Sequence, residues 1–159
     1  FLTPTSMLVG QALGGGALPG LKSIRRTSHC VVLMASFPML LALYFFRNEI
    51  AVTYSIDGAT KTLWLQICFC ILFLKLLDDI ALAGQGFLLG VEQTRVVFLG
   101  RFIGVWVVAM PTGYALSVYH SLSGYWIGWI MGTALTLIWF AQAGSIYVKH
   151  QKPKLVGKE

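Results

Sequence analysis

The chain has 159 residues, of which 57% are apolar and 11% are charged, and its mean hydropathy is +0.74. A soluble domain carries about 25% charged residues, and a soluble chain this short cannot bury so much apolar surface in one core. The composition therefore excludes an ordinary soluble domain and predicts a protein that lies in lipid. The net charge of +6 comes from basic residues at the ends of apolar runs, which indicates membrane anchoring rather than nucleic-acid binding.

Apolar segments follow one another along the whole chain. The first, residues 1–14, is interpreted as the tail of a helix, so the chain is expected to be a fragment of a longer protein. Four complete segments follow, at about 28–46, 62–90, 96–118 and 124–148. Each is near or above the roughly 20 residues that cross a bilayer core, and backbone groups in lipid must be satisfied within helices. The sequence predicts one all-α, multi-pass transmembrane helical bundle with a basic tail at 149–159.

Lysine and arginine are distributed unevenly between the connections. Nine lie in the first loop, after the third helix or in the tail: Lys22, Arg25, Arg26, Arg95, Arg101, Lys149, Lys152, Lys154 and Lys158. Only Arg47 and Lys61 lie on the opposite side. Because basic loops remain in the cytoplasm, the sequence predicts a cell-membrane protein with a cytoplasmic C-terminus.

A charged triplet interrupts the segment 62–90. Lys75 precedes Asp78 by three residues and Asp79 by four, so on a helix the lysine can reach either carboxylate. A charge at the bilayer centre costs on the order of 3 kcal/mol, which predicts that all three residues face protein or a wet cavity. Two acids and one base leave one carboxylate unbalanced, able to bind a proton or a cation and to bias two conformations. The alternative is a neutral pair that only holds helices together.

Other residues give weaker signals. Gly86 and Gly90 have the GxxxG spacing that permits close helix packing, and Pro38 and Pro111 are expected to kink their helices. Trp106 and Tyr114 lie deep in a predicted span, where they either line a cavity for flat cationic ligands or pack against lipid and core. The three cysteines and three histidines show no metal-ligand spacing, and no catalytic or cofactor-binding motif is present. The sequence therefore predicts neither an enzyme nor a metal or cofactor site.

Five phrases, in this order, resemble those of the multidrug and toxic compound extrusion (MATE) transporters. They are "LVGQALGGG", "FFRNEIAVTYSIDGATKTLW", "LLDDIALAGQGFLLGVEQTR", "MPTGYAL" and "GYWIGWIMG", and together they are distributed over residues 8–132. The resemblance aligns Asp78 with the acidic residue that many bacterial members have in their tenth helix, with Asp79 as the alternative. The family glutamine and arginine fall on Ala81 and Leu89, and Lys75 lies outside the family pattern.

The resemblance implies the C-terminal part of the second six-helix lobe, with the tail of the eighth helix and helices nine to twelve. Its implied function is antiport, the export of organic and often cationic compounds in exchange for protons or sodium. Asp78 would be the coupling carboxylate, Asp79 an auxiliary, and Lys75 an internal counter-cation that favours protons over sodium. The implied partners are the missing N-terminal lobe, the lipid bilayer and small organic cations, and no nucleic acid. A related flippase for lipid-linked oligosaccharide and a non-transporting membrane module remain alternatives.

Overall fold

The structure is a computed structural model that describes residues 2–15, 20–54, 56 and 58–151. All regular elements in these residues are helical, which confirms the all-α prediction. In chain order they are α1 (Leu2–Gly14), α2 (Leu21–Phe45), α3 (Arg47–Thr53), α4 (Gly58–Gly90), α5 (Thr94–Phe102), a π-helical segment (Ile103–Ala109) and α6 (Met110–Gln151).

Helical backbone continues throughout α6, yet the chain reverses direction within it. A Cβ atom on Gly113 would lie 3.2 Å from the Tyr125 carbonyl oxygen, and Gly104 lies against Gly132 and Thr136. Twelve residues of straight helix span about 18 Å, so these contacts require an antiparallel pair. We call the two antiparallel segments the first arm (Thr94–Tyr119) and the second arm (Leu122–Lys149). The first arm consists of α5, the π-helical segment and the start of α6, and the second arm is the rest of α6 up to Lys149. The reversal falls between the predicted segments 96–118 and 124–148.

Three helices among the described residues are long and apolar enough to cross a membrane: Leu21–Phe45, Thr94–Tyr119 and Leu122–Lys149. Their composition supports a membrane location. The longest uninterrupted helix besides α6 is α4, with 33 residues. It is not one of the three and carries Lys75, Asp78 and Asp79, so a crossing by residues 62–90 stays a prediction.

The C-terminal half of α4 is the centre of the fold. It contacts α1, α2, α5 and α6, and Ala81, Phe87 and Leu88 are buried in a single core cluster. The other buried members of this cluster are Val9, Leu21, Val91, Val97 and Phe140. The charged triplet therefore lies on the helix that all the long elements pack against.

A tight turn joins α4 to α5. The Glu92 amide donates to the Leu89 carbonyl at 3.0 Å, and the Gln93 amide donates to the Leu88 carbonyl at 2.9 Å. These two bonds form a Schellman motif, whose left-handed residue is usually glycine. Here that residue is Glu92, with φ of 61°. The turn brings the start of the first arm back against the end of α4.

The π-helical segment immediately precedes the proline of the first arm. Pro111 has no amide hydrogen and its ring collides with the carbonyl one turn earlier in an α-helix. The wider turn leads into Pro111 by an i to i−5 bond from the Met110 amide to the Val105 carbonyl. The Thr112 hydroxyl also donates to the Val108 carbonyl at 2.6 Å. Helix α2, by contrast, continues through Pro38.

Candidate ion-coupling site

Asp78 and Asp79 are adjacent on α4 but lie in different surroundings, because successive helical residues point about 100° apart. Asp79 is buried and accepts a hydrogen bond from the Lys75 ammonium, one turn earlier on the same helix. The exposed fraction of the side chain is 9% for Asp79 and 54% for Lys75. This pair is contained within α4 and gives one of the two acids a local counter-charge.

Asp78 forms a contact between helices. Its Oδ1 accepts a hydrogen bond of 2.8 Å from Nη1 of Arg101, on α5. The exposed fraction is 36% for the Asp78 side chain and 28% for that of Arg101. A charged pair in this position joins α4 to the first arm while one side remains open.

Two further side chains hold the Arg101 guanidinium in place. Its Nε donates to Oε1 of Gln85 at 3.1 Å, and its Cζ lies 6.0 Å from the centre of the Phe140 ring. Asp78 and Gln85 are seven residues apart, so they lie on one face of α4. Arg101 thus contacts α4 twice and the second arm once, at the junction of three helical elements.

The expected charge imbalance is wrong for the described residues. The prediction of an unbalanced carboxylate requires Lys75 to be the only interior base and Arg101 to lie in a loop. In the structure Arg101 is in the last turn of α5, within the first arm, because the connection is limited to residues 91–93. Two acids therefore face two bases, and the cluster of Lys75, Asp78, Asp79 and Arg101 has no formal net charge.

Sequence reasoning missed Arg101 and Gln85 as members of the site. Arg101 lies inside the segment predicted as a span at 96–118, so the rule that interior charges need partners applied to it as much as to Asp78. Gln85 had the helical spacing of seven residues from Asp78. Both signals are present in the sequence, so these two residues could have been predicted without the structure.

The other predicted site residues lie away from the charged cluster. Gly90 is packed against α1, since a Cβ atom there would lie 2.6 Å from Cβ of Val9, and Gly86 is buried. Trp106 and Tyr114 are exposed by 61% and 75%, and both lie on the outer surface of the first arm. Their assignment to a substrate cavity stays a prediction.

The chemistry available at the site is that of oxygen ligands and exchangeable protons. No group of three metal-ligating side chains occurs in the described part of the chain. Asp78 is the acid with both an open side and a partner on another helix. A proton or cation arriving there would compete directly with the Arg101 guanidinium.

Comparison with known proteins gives a consistent family. The MatE family model matches residues 1–115. The chain is 33% identical over 143 residues to the "Probable multidrug resistance protein NorM" of Bacillus thuringiensis subsp. konkukian, covering 84% of the chain and 31% of that protein. It is 28% identical over 139 residues to the "Multidrug resistance protein MdtK" of Edwardsiella ictaluri, covering 84% of the chain and 30% of that protein.

The chain thus spans about a third of the length of these relatives. No solved structure matches it. The family match covers well over half of the residues, including the whole of α4 and the Arg101 contact. The chain belongs to the MatE family, the multidrug and toxic compound extrusion transporters that its sequence phrases resemble.

Proposed function

We propose that this chain is part of a secondary antiporter that exports organic, often cationic, compounds in exchange for protons or sodium ions. The names of the relatives refer to multidrug resistance, and family membership supports a transporter rather than an enzyme. Asp78 is the coupling carboxylate. The observation that carries this assignment is that the Asp78 side chain is partly exposed and forms an ion pair with Arg101 on another helix.

The contact gives coupling a physical basis. Ionised Asp78 binds Arg101 and joins α4 to the first arm. A proton on the carboxylate removes the charge that attracts the guanidinium, and Arg101 keeps Gln85 as an acceptor. Since a ligand shifts two conformations only by its unequal affinity for them, a link that depends on charge lets the proton select between two arrangements of these helices.

Arg101 also favours protons over sodium at this carboxylate. A sodium ion bound to Asp78 would be a full positive charge that needs several oxygen ligands and lies next to the guanidinium, 2.8 Å from the same oxygen, whereas a proton bonds to a single carboxylate oxygen and needs no further ligand. Lys75 keeps Asp79 paired within α4. Asp79 therefore acts as an auxiliary acid that balances the charge of Lys75, and Asp78 binds and releases the coupling ion.

The orientation follows from the basic residues. Lys22, Arg25 and Arg26 lie in the first two turns of α2, and the second arm ends at Lys149. Arg25 contacts Ser145, so these positions are at one end of the bundle. That end is cytoplasmic by the positive-inside rule. The exposed aromatic surface of Trp106 and Tyr114 meets organic cations together with the remainder of the transporter.

The test is efflux of ethidium from vesicles that contain the protein at its natural length. Asp78→Asn keeps the shape of the side chain and removes its charge, and we expect it to abolish efflux driven by an ion gradient while the membrane level is unchanged. Glu49→Gln is the matched control, because Glu49 is an exposed acid on α3. We expect the control to transport normally.

Separate pH and sodium gradients identify the ion. The proposal predicts efflux with the pH gradient alone, lost in Asp78→Asn. Efflux by the variant with an unchanged dependence on both gradients would reject the role of Asp78. Normal efflux after neutralising Lys75, Asp78 and Asp79 together would instead support a module in which the charges serve packing only.

A further inference from the structure

A cavity whose lining includes none of the four charged residues of the cluster lies at the end of the bundle where α2 begins. It is open on one side, has a volume of about 780 Å³ and is lined by α2, the C-terminal half of α4 and the second arm. Its basic lining residues are Lys22, Arg25 and Arg26, with His29 beside them. No acidic residue is among the described lining residues. The volume is within the range of about 300–1,000 Å³ that is typical of ligand sites.

Arg25 is held across the cavity by contacts with the second arm. Its Nη1 donates to Oγ of Ser145 at 3.3 Å, and Ser145 in turn donates to the Ala141 carbonyl at 2.8 Å. A Cβ atom on Gly144 would lie 3.1 Å from the same Nη1, so the glycine leaves room for the guanidinium. The hydroxyl accepts one of five N–H groups, and most of the guanidinium donors remain available for an anion.

The neighbouring basic side chains are also without acidic partners in the described part of the chain, where the two ion pairs belong to Asp78 and Asp79. The His29 ring contacts the Arg25 carbonyl through Nδ1 at 2.7 Å. A carbonyl only accepts, so Nδ1 carries the hydrogen and Nε2 is left for another contact. Lys22 and Arg26 are exposed. The rim of the cavity therefore presents several cationic donors within three turns of one helix.

The remaining wall of the cavity is apolar. It is formed mainly by Leu33, Ile80, Phe87, Leu137 and Phe140. A small inorganic anion has no apolar surface to bury against this wall, whereas a phospholipid has both a charged phosphate and apolar acyl chains. Basic pockets between membrane helices on the cytoplasmic side are suited to lipid headgroups.

We propose that this cavity binds an anionic phospholipid, with its phosphate at Arg25, Arg26 and Lys22 and its glycerol and upper acyl chains against the apolar wall. The proposal does not depend on antiport, because none of the three basic residues belongs to the coupling site. Phe140 lines the cavity and also faces Arg101, so the lipid would lie one aromatic ring away from that site.

The test measures lipid binding to the detergent-purified protein at its natural length by native mass spectrometry. The probes are phosphatidylglycerol, phosphatidylcholine and inorganic phosphate. Two double variants are compared. The first combines Lys22→Gln and Arg26→Gln, and the second combines Arg95→Gln and Lys149→Gln. All four residues are exposed, and neither Arg95 nor Lys149 lines the cavity, so the two variants lose equal charge but only the first loses it at the cavity.

We expect preferential binding of phosphatidylglycerol, weakened roughly tenfold or more in the first double variant and nearly unchanged in the second. Ala141→Phe narrows the cavity without changing charge and should also weaken binding. Equal weakening in both double variants would overturn the proposal in favour of diffuse attraction to the basic end. Displacement of the lipid by equimolar inorganic phosphate, or full binding by Ala141→Phe, would also overturn it.

Discussion

Arg101 on α5 and Asp78 on α4 are 23 residues apart in the chain and form an ion pair, with a 2.8 Å hydrogen bond between the two helices. This pair is the one described ionic contact between α4 and another helix, since the second described pair, Lys75–Asp79, lies within α4. The geometry separates two acids that are adjacent in sequence. One stabilises its own helix, and the other connects two helices.

The first prediction is an energetic coupling between Arg101 and Asp78. Each single variant, Arg101→Gln or Asp78→Asn, leaves its partner without a counter-charge, and the double variant removes both charges. We expect the double variant to be more stable than the sum of the single losses predicts, by about 1 kcal/mol, because both side chains are partly exposed. Thermal unfolding of the four forms in one detergent measures this difference.

Arg95→Gln provides the control for this cycle. Arg95 is also on α5 but is exposed, so its substitution should add to that of Asp78→Asn without coupling. A coupling for Arg95 as large as that for Arg101 would mean that net charge, rather than the observed contact, determines the result.

The second prediction concerns the pair within α4, whose members are unequally buried. Lys75→Met leaves the buried Asp79 carboxylate without its counter-charge, whereas Asp79→Leu leaves a half-exposed lysine that can reach a polar surface. We expect the lysine variant to lose about 2 kcal/mol and the aspartate variant about half as much. The double variant should be at least as stable as the wild type, because well-packed apolar residues often replace such pairs without loss.

The apparent melting temperature of the purified variants tests this order. A smaller loss for Lys75→Met than for Asp79→Leu would contradict the burial of Asp79. A double variant less stable than either single variant would show that the pair contributes more than mutual neutralisation.

The helical class was predictable because long apolar segments in lipid leave the backbone few alternatives. The site was harder. Lys75, Asp78 and Asp79 stood out as charges in an apolar segment, but their pairing depends on which face of α4 each occupies and on what packs there. Asp78 differs from Asp79 because Arg101 is brought to it by the turn after Gly90. That turn uses a glutamate where glycine is usual, a choice that local sequence preference does not predict.

The ends of the helices show the same limit. The apolar segment 28–46 predicts a span but omits Lys22, Arg25 and Arg26, although α2 begins at Leu21. Helical hydrogen bonding does not require apolar side chains, so the polar first turns of a membrane helix leave no hydropathy signal. The basic cavity is built from those turns.

The third prediction tests the close contact between the two arms. Gly128 lies against the backbone of Gly113, and a Cβ atom there would also lie 3.0 Å from the Ala109 carbonyl oxygen. Gly128→Ala must push the arms apart, and we expect a loss of about 1–3 kcal/mol from overpacking. Gly10→Ala is the control, since a Cβ atom on Gly10 has no neighbour within 4 Å in the described residues.

The control should be neutral or stabilising by up to about 1 kcal/mol, because alanine is the better helix former. Thermal unfolding and expression level are the measurements. Normal stability of Gly128→Ala would contradict the antiparallel contact, and with it the reversal of the chain between Tyr119 and Leu122.

The fourth prediction is a gain of stability at the turn between α4 and α5. Glu92 has φ of 61°, a left-handed conformation that costs a residue with a Cβ atom about 1–2 kcal/mol. Glycine adopts it without that cost but loses more freedom on folding. We therefore expect Glu92→Gly to stabilise the protein by about 0.5–1 kcal/mol. In Glu49→Gly, at an ordinary helical position of α3, the same change should destabilise by up to about 1 kcal/mol. Melting temperatures that fall for both variants would contradict the Schellman turn that positions Arg101 beside Asp78.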